Sequence, residues 1–413
     1  MDRPAGERRP FVGSTVVLGV TGGIAAFKAI TVARDLARTG ATVEVVLSAG
    51  ALEFIRPLSF AALTGRRAHV EAYRPDDPLL HIRLAREADL VLVAPATANA
   101  VARAAAGMAD DLLTAVLLAT RAPVVFCPAM NDRMYEHPQT QENLHRLAEI
   151  GYRVVEAATG ALARGEGEGP GRLPEPGEIL DHAARALQGD GPLIGRRVVV
   201  TAGPTREPID PVRYLGNRSS GRMGYALAAA AWRRGADVLL ISGPSALPAP
   251  TGVDVERVET AEQMHAAVAR ALHSADLLVM AAAVADFRPR APSATKLKKT
   301  DDGVPELTLE SAPDVLTETL SGRPDGVVVV GFALETGDAV AKATRKLEAK
   351  KLDLLVVNDA TEEGAGFEVS TNRVTLITPG GPDEELPLLP KEEVAERILD
   401  RVEPLLAAAP EQR

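Results

Sequence analysis

The sequence holds a single cysteine, Cys127, in 413 residues. One cysteine excludes an intrachain disulfide and any zinc or iron–sulfur site built on several thiolates. Aromatic residues make up only 3% of the chain although 46% is hydrophobic. The apolar content is mostly Ala, Val and Leu, which suits parallel sheets covered by Ala-rich helices. No apolar run approaches the roughly 20 residues that span a bilayer. The opening MDRPAGERRP has no apolar signal core. Residues 1–12 are therefore expected to form a disordered tail, and the expected compartment is the cytoplasm. Positive charge is in deficit, with 46 Lys and Arg against 56 Asp and Glu and a net charge of −10. That balance argues against a nucleic-acid or anionic-membrane surface.

A chain of this length is expected to hold two domains of about 200 residues. STVVLGV (14–20), TVEVVLS (42–48), DLVLVAP (89–95) and PVVFCPA (123–129) read as buried strands, and a helix is expected from Ile24 to Thr39, stopped by Gly40. The Gly-rich stretch 158–177 then interrupts the pattern, and its composition predicts a loop or flap rather than a core element. A helix near 178–188 and a GDGPL linker follow. The alternation restarts at GRRVVVTAG (195–203) and continues through RMGYALAAAAWRRG (222–235), DVLLISG (237–243), DLLVMAA (276–282), GVVVVGF (326–332) and DLLVVND (353–359). Strands alternating with helices predict an α/β chain with two consecutive doubly wound, Rossmann-like parallel-sheet domains, at 13–189 and 193–405.

In the first domain, VVLGVTGGIAAFK (16–28) runs from a strand through a Gly pair into a helix. Free amides at such a helix start suit a phosphate, although a tight βα turn accounts equally well for the segment alone. It is neither a GxGxxG nor a P-loop. APATAN (94–99) follows another strand, with Thr97 and Asn99 able to hydrogen-bond a flat ligand or Thr97 able simply to cap the next helix. PAMN (128–131) puts Asn131 at a third strand end. Ligands of open α/β sheets collect at that edge.

These motifs, together with His81 in LLHIRLAREADLVLVAPATAN and the segment AAGMADDLL (105–113), resemble the flavin-dependent cysteine decarboxylases, in particular phosphopantothenoylcysteine decarboxylase. The resemblance covers most of residues 14–156 and implies a flavodoxin-like domain that binds FMN. It implies that Gly22, Gly23 and Ile24 hold the FMN phosphate and that Ser48, Thr97, Ala98, Asn99 and Ala129 line the flavin. His81 would be the catalytic histidine and Asn131 would fix the substrate carboxylate. The chemistry accounts for these roles, because a cysteine carboxylate leaves only after its thiol has been oxidised so that a C=S bond can take the electrons. His81 suits proton transfer, since imidazole is the side chain that both takes up and releases a proton near neutral pH. The family's flap reads roughly G-x-x-A-C-G, whereas here the stretch is GALARG, with Arg164 in the cysteine position. Cys127, at a strand end, reads as a buried core residue. The departure leaves three outcomes open: a different proton donor, a reaction stalled at the enethiol, or a domain that only binds FMN and oligomerises.

The second half carries the long polar loop TAGPTREPIDPVRYLGNRSSGRMG (201–224) between a strand and an Ala-rich helix. A loop of that length at a sheet edge is a functional candidate. AAAVADFRPR (281–290) places Asp286 past a buried strand, KLKK (296–299) follows, and Lys346 and Lys350 are spaced to share one helix face. A carboxylate for Mg²⁺ and cations for phosphate charge are what a metal–triphosphate site needs, although exposed lysines on a solvated face account for the same residues. A short-chain dehydrogenase is excluded, because Arg218 stands where its Tyr-x-x-x-Lys pair would need lysine after Tyr214.

TAGPTREP, DPVRY, N-x-SSG-x-MG, AAVADF and GFALET resemble phosphopantothenate–cysteine ligase over essentially all of 195–405. The resemblance implies that Asn217 handles an acyl-nucleotide intermediate and that Lys296 drives its formation. Met280, Ala281, Ala282, Asp286, Phe332, Lys346 and Lys350 would bind the nucleotide, with Asp286 holding Mg²⁺. The family's N-P-D-I segment reads Ala312, Pro313, Asp314, Val315 here, with alanine in place of asparagine. The decarboxylase-then-ligase order is the bacterial bifunctional arrangement. It implies CTP, 4′-phosphopantothenate and L-cysteine as substrates and assembly as a homo-oligomer.

Overall fold

The computed structural model describes residues 10–73, 75–161, 167–188, 191–298, 306–335, 345, 347–359, 366 and 369–408. The chain divides into two compact units, Met1–Gly189 and Asp190–Arg413.

Unit 1 is built on β1 (Thr15–Val20), β2 (Thr42–Leu47), β3 (Leu90–Ala96), β4 (Val124–Pro128) and the short β5 (Arg153–Val154). All pair in parallel, in the order β2-β1-β3-β4-β5. This is the flavodoxin-like order 2-1-3-4-5, whose switch point lies between β1 and β3. The strands read as continuous apolar runs because both faces are covered; every residue of β3 is buried. One face packs on α1 (Ala26–Arg38) and α2 (Pro57–Thr64), the other on α3 (Leu80–Glu87), α4 (Ala98–Ala105), α5 (Leu112–Ala119) and α7 (Pro138–Glu149), with the single-turn α6 (Asp132–Glu136) between. Fully burying a Leu or Phe of these clusters contributes about 1.5–3 kcal/mol. Local signals set the helix ends. Pro57 opens α2 and Gly65, with φ 68°, closes it, while Asp111 and Thr114 form a capping box at α5.

Two expectations need correction here. The Gly-rich stretch is not all loop, since it holds an antiparallel hairpin of β6 (Ala158–Ala161) and β7 (Glu168–Arg172), followed by α8 (Pro176–Ala186). Nor do residues 10–12 belong to a disordered tail. Phe11 is 1% exposed in the core, and its carbonyl accepts from the Ser14 amide at 3.0 Å.

Unit 2 opens with β8 (Arg197–Ala202), the antiparallel pair β9 (Arg206–Pro208) and β10 (Tyr214–Gly216), and α9 (Arg222–Arg233). Then come β11 (Asp237–Ser242), β12 (Asp254–Arg257), α10 (Ala261–Leu272), β13 (Leu277–Met280), the antiparallel pair β14 (Phe287–Pro289) and β15 (Leu309–Ser311), and α11 (Val315–Leu320). β16 (Val328–Glu335), β17 (Leu354–Asp359), β18 (Thr371–Asn372), β19 (Thr375–Ile377), β20 (Glu384–Glu385), β21 (Leu389–Pro390) and α12 (Lys391–Ala408) complete it. The main sheet runs β12-β11-β8-β13-β16-β17-β19-β20. Its first six strands are parallel, in the Rossmann order 3-2-1-4-5-6, and the last two are antiparallel. The doubly wound class expected for both halves is what forms. On one face α12 is held to α9 by Arg234, which is 5% exposed and pairs with Glu396, Asp400 and Glu403 at 2.7–2.8 Å. No helix among the described residues is long and apolar enough to cross a membrane.

Candidate active sites

The carboxyl ends of β1 and β3 open onto a cavity of about 1020 Å³ in unit 1. It is lined by Gly22, Gly23, Ile24, Ser48, Thr97, Ala98, Asn99, Ala129 and Asn131, so the structure brings the GG, ATAN and PAMN loops together. Val93, Leu113, Leu117 and Phe126 give it an apolar wall. The amides of Gly22 to Ala25 have no acceptor among the described residues, because the first turn of α1 has no side-chain cap. They form an anion cradle at a helix start. A Cβ on Gly22 would stand 2.6 Å from the Gly50 carbonyl carbon, so the cradle can close only around glycine.

Thr97 occupies the first cap position of α4, yet its hydroxyl does not cap the helix. It lies 3.1 Å from the Thr21 hydroxyl, which donates to the Pro95 carbonyl at 2.8 Å and accepts the Thr97 amide at 3.0 Å. Thr21 thus staples the GG loop to the ATAN loop, a role its place beside two glycines did not announce. Asn131 accepts the Arg133 amide at 3.0 Å through its side-chain oxygen, leaving its amide nitrogen available. Ser48 caps the following 3₁₀ turn through the Ala51 amide at 3.3 Å.

The hairpin forms part of the cavity wall through Ala161, Gly171 and Arg172. The Met130 amide donates to the Gly171 carbonyl at 2.9 Å, and a Cβ on Gly171 would come within 2.4 Å of the Met130 carbonyl oxygen. The glycines of EGPGR therefore allow the hairpin to lie against the PAMN loop. Lys28, also on the cavity, donates to the Leu173 carbonyl at 3.1 Å and to Glu175 at 3.0 Å, fixing the return of the hairpin. Arg164 and Glu166 lie outside the described residues. Cys127 is fully buried on the opposite face of the sheet from Phe126, and burial pushes its thiol pKa up, so it is a core residue as expected. His81, in the first turn of α3, is half-buried and does not line this cavity.

In unit 2 the switch point lies between β8 and β13, whose following loops are zipped together. The Ala283 amide donates to the Gly203 carbonyl at 2.9 Å, the Ala282 amide to the Thr201 hydroxyl at 3.1 Å and the Ala285 amide to the Thr205 hydroxyl at 2.9 Å. Asn217 joins this edge, its side-chain nitrogen donating to the carbonyls of Ala283 and Val284 at 3.1 and 3.0 Å. The Ala312 amide donates to the Asp286 carbonyl at 2.9 Å, which brings APDV to the same loop. Lys350 pairs with Asp314 at 2.9 Å. Burial raises the Asp314 pKa, but hydrogen bonds from Thr317 and Lys350 outweigh it and hold the carboxyl below its usual range. The Asp286 carboxylate and the Lys296 ammonium are exposed, with no partner among the described residues. Met280 is buried, while Ala281, Ala282 and Phe332 are partly buried against the cores. Lys346 lies outside the described residues, and Lys350 stands in a turn after the helical residues 347–349, so a shared helix face is not described. No group of three or more metal-ligating side chains occurs among the described residues.

Two family models match the chain. The "Flavoprotein" model covers residues 6–188, and the "DNA/pantothenate metabolism flavoprotein C-terminal domain" model covers 193–405. The chain is 44% identical over 397 residues to the coenzyme A biosynthesis bifunctional protein CoaBC of Vibrio vulnificus, spanning 95% of this chain and 98% of that one. It is 46% identical over 406 residues to the CoaBC protein of Mycobacterium tuberculosis, spanning 95% and 97%. A crystal structure of the C-terminal domain of a CoaBC protein is 39% identical, covers 53% of this chain and all of that one, and has a TM-score of 0.46. The chain belongs to the family of coenzyme A biosynthesis bifunctional CoaBC proteins.

Proposed function

We infer that the chain performs two consecutive steps of coenzyme A biosynthesis in the cytoplasm. Residues 193–405 ligate L-cysteine to 4′-phosphopantothenate with CTP, through an acyl-cytidylate. Residues 13–189 then decarboxylate the resulting phosphopantothenoylcysteine to 4′-phosphopantetheine with FMN. The observation that carries this reading is that the GG, ATAN and PAMN loops of unit 1, and the TAGPT, Asn217 and AAVADF segments of unit 2, meet at the switch point of their own sheet. Identity to bifunctional relatives over 95% of the chain supports it.

The cavity of unit 1 fits a flavin with one phosphate, having a single amide cradle at Gly22–Ala25 and an apolar wall for a ring system. When bound, the flavin supplies the electron acceptor for thiol oxidation and the donor for the final reduction. Gly22, Gly23 and Ile24 would bind the phosphate; Ser48, Thr97, Ala98, Asn99 and Ala129 would border the ring. Asn131 would donate its free amide nitrogen to the substrate carboxylate. His81 would move the proton. Because it does not line the cavity of its own chain, we assign it to the cavity of a second copy in a homo-oligomer. Arginine cannot supply a proton at neutral pH, so Arg164 does not replace the family's flap cysteine. Water or Glu166 would serve as the final acid.

In unit 2 the substrate carboxylate attacks the α-phosphate, pyrophosphate leaves, and the cysteine amine then displaces the nucleoside monophosphate. A lone exposed carboxylate suits Mg²⁺, which keeps waters and substrate phosphates as its other ligands. Asp286 is that carboxylate in this reading. Met280, Ala281, Ala282, Ala312, Pro313, Asp314, Val315, Phe332, Lys346 and Lys350 would surround the nucleotide. Lys296 would stabilise charge on the α-phosphate and the leaving pyrophosphate. Asn217 would act on the acyl-cytidylate. Pyrophosphate release with CTP and with ATP tests the assignment: CTP should be preferred, and Lys296→Gln should abolish release. Equal turnover with ATP would overturn the CTP assignment.

A further inference from the structure

One buried carboxylate in unit 2 ties together two segments to which catalytic groups have been assigned. Asp210 lies two residues past β9, and its side chain has no exposure to solvent. It accepts the amides of Val212 and Arg213 at 2.8 Å each, and the Arg213 Nε at 3.0 Å. Its Oδ2 also accepts the amide of Leu297 at 3.1 Å. Arg213 donates to the Leu297 carbonyl at 2.7 Å, and the Ser293 amide donates to the Ile209 carbonyl at 2.9 Å. Residues 293–297 therefore lie as a strap along the loop 209–213, gripped on both sides of Leu297. Lys296 immediately precedes the gripped amide, and Asn217 follows directly on β10, the strand that leaves this loop, and is held against Ala283 and Val284. The Arg213 guanidinium holds the Asp210 carboxyl well below the usual carboxylate range, so the group is an anion at neutral pH.

We propose that Asp210 is a positioning residue for nucleotide activation, holding the strap in register with the Asn217 loop so that the Lys296 ammonium is presented to the α-phosphate. The proposal rests on the assignment of Lys296 to that step. Asparagine at 210 loses the charge and turns one acceptor into a donor, which then faces the Leu297 amide or the Arg213 guanidinium. The strap loses its pin, and the long Lys296 side chain loses its fixed base. A displacement of roughly 1 Å in a group that must meet a developing charge can cost on the order of 10²-fold in rate. The Asn217 contacts do not pass through Asp210, so the second step, aminolysis of the acyl-nucleotide, should be spared.

The test compares the full-length wild type with Asp210→Asn, Asp210→Glu and Lys296→Gln. Pyrophosphate release without cysteine reads the first step, aminolysis of chemically supplied acyl-cytidylate by cysteine reads the second, and a thermal melt reports folding. Asp210→Asn should lose about 10²-fold in the first step, with a CTP KM within a fewfold of wild type and wild-type aminolysis. Asp210→Glu, which keeps the charge but moves it outward, should show a smaller defect in the same step, and it carries the test if the asparagine variant does not fold. Equal losses in both steps, or a first step at the wild-type rate in a folded Asp210 variant, overturns the proposal while leaving the Lys296 assignment intact. Wild-type pyrophosphate release by Lys296→Gln removes that assignment and the proposal with it.

Discussion

Replacing Gly22 by alanine puts a methyl group against the main chain of a neighbouring loop, where no rotamer change can relieve it. The added Cβ would lie 2.6 Å from the Gly50 carbonyl carbon and 2.8 Å from its Cα and its oxygen. Overpacking of this kind costs about 1–3 kcal/mol if the structure holds. If the loop retreats instead, it takes the Gly22–Ala25 amides away from the phosphate. Hydrogen bonds to a charged group contribute about 1.5–3 kcal/mol each, so losing two would weaken FMN binding by on the order of 10²-fold or more. Gly23 is the matched control, since its added Cβ would meet only the Thr97 methyl, at 3.4 Å, an ordinary contact. Fluorescence titration of apoprotein should show Gly22→Ala losing both FMN affinity and the preference for FMN over riboflavin. Gly23→Ala should stay within about tenfold of wild type. Wild-type binding by Gly22→Ala, or equal losses in the two variants, would refute the cradle.

Three further outcomes follow from named contacts. Thr21→Val leaves the Thr97 amide without its acceptor, while the Pro95 carbonyl keeps the Thr21 backbone amide at 3.3 Å, and should cost about 1–3 kcal/mol in urea denaturation of the apoprotein; an unchanged midpoint contradicts the staple. His81→Asn should retain full flavin absorbance but release no CO₂ from phosphopantothenoylcysteine, and loss of the flavin would make His81 a structural residue. Burial, reinforced by the Arg153 guanidinium, lowers the His182 pKa to about 4. The unfolded chain, with a pKa near about 6.5, takes up the proton first as pH falls. Stability should therefore decline from about pH 6.5 down to about 4 and then level off, by on the order of 2 kcal/mol after allowing for solvent near the ring. His182→Asn should flatten that decline.

The central strands were legible because a strand buried on both faces is a bare apolar run bounded by turn residues, as LVLVAPA in β3 is. The strand-end loops were legible for the same reason, since each site motif begins where such a run stops. The β6–β7 hairpin was not, because its identity rests on backbone proximity: Gly169 and Gly171 are needed to approach Asp132 and Met130, and glycine-rich sequence reads as loop. The short antiparallel β19 and β20 carry too few residues to show an alternation. Side chains that link distant segments were equally hidden. Thr21 reaches Thr97 and Asp210 reaches Leu297, and no local pattern encodes either partner. The position of His81 outside the cavity of its own chain could not be read from a motif that places it a few residues before β3.

The most direct test of the two-step account is one incubation of the purified protein, loaded with FMN, with 4′-phosphopantothenate, L-cysteine, CTP and Mg²⁺, read by mass spectrometry. The account predicts 4′-phosphopantetheine with CMP, pyrophosphate and CO₂. A product two hydrogens lighter would show a decarboxylase halted before the final reduction. Accumulation of phosphopantothenoylcysteine without CO₂ would contradict the account by leaving unit 1 without catalysis.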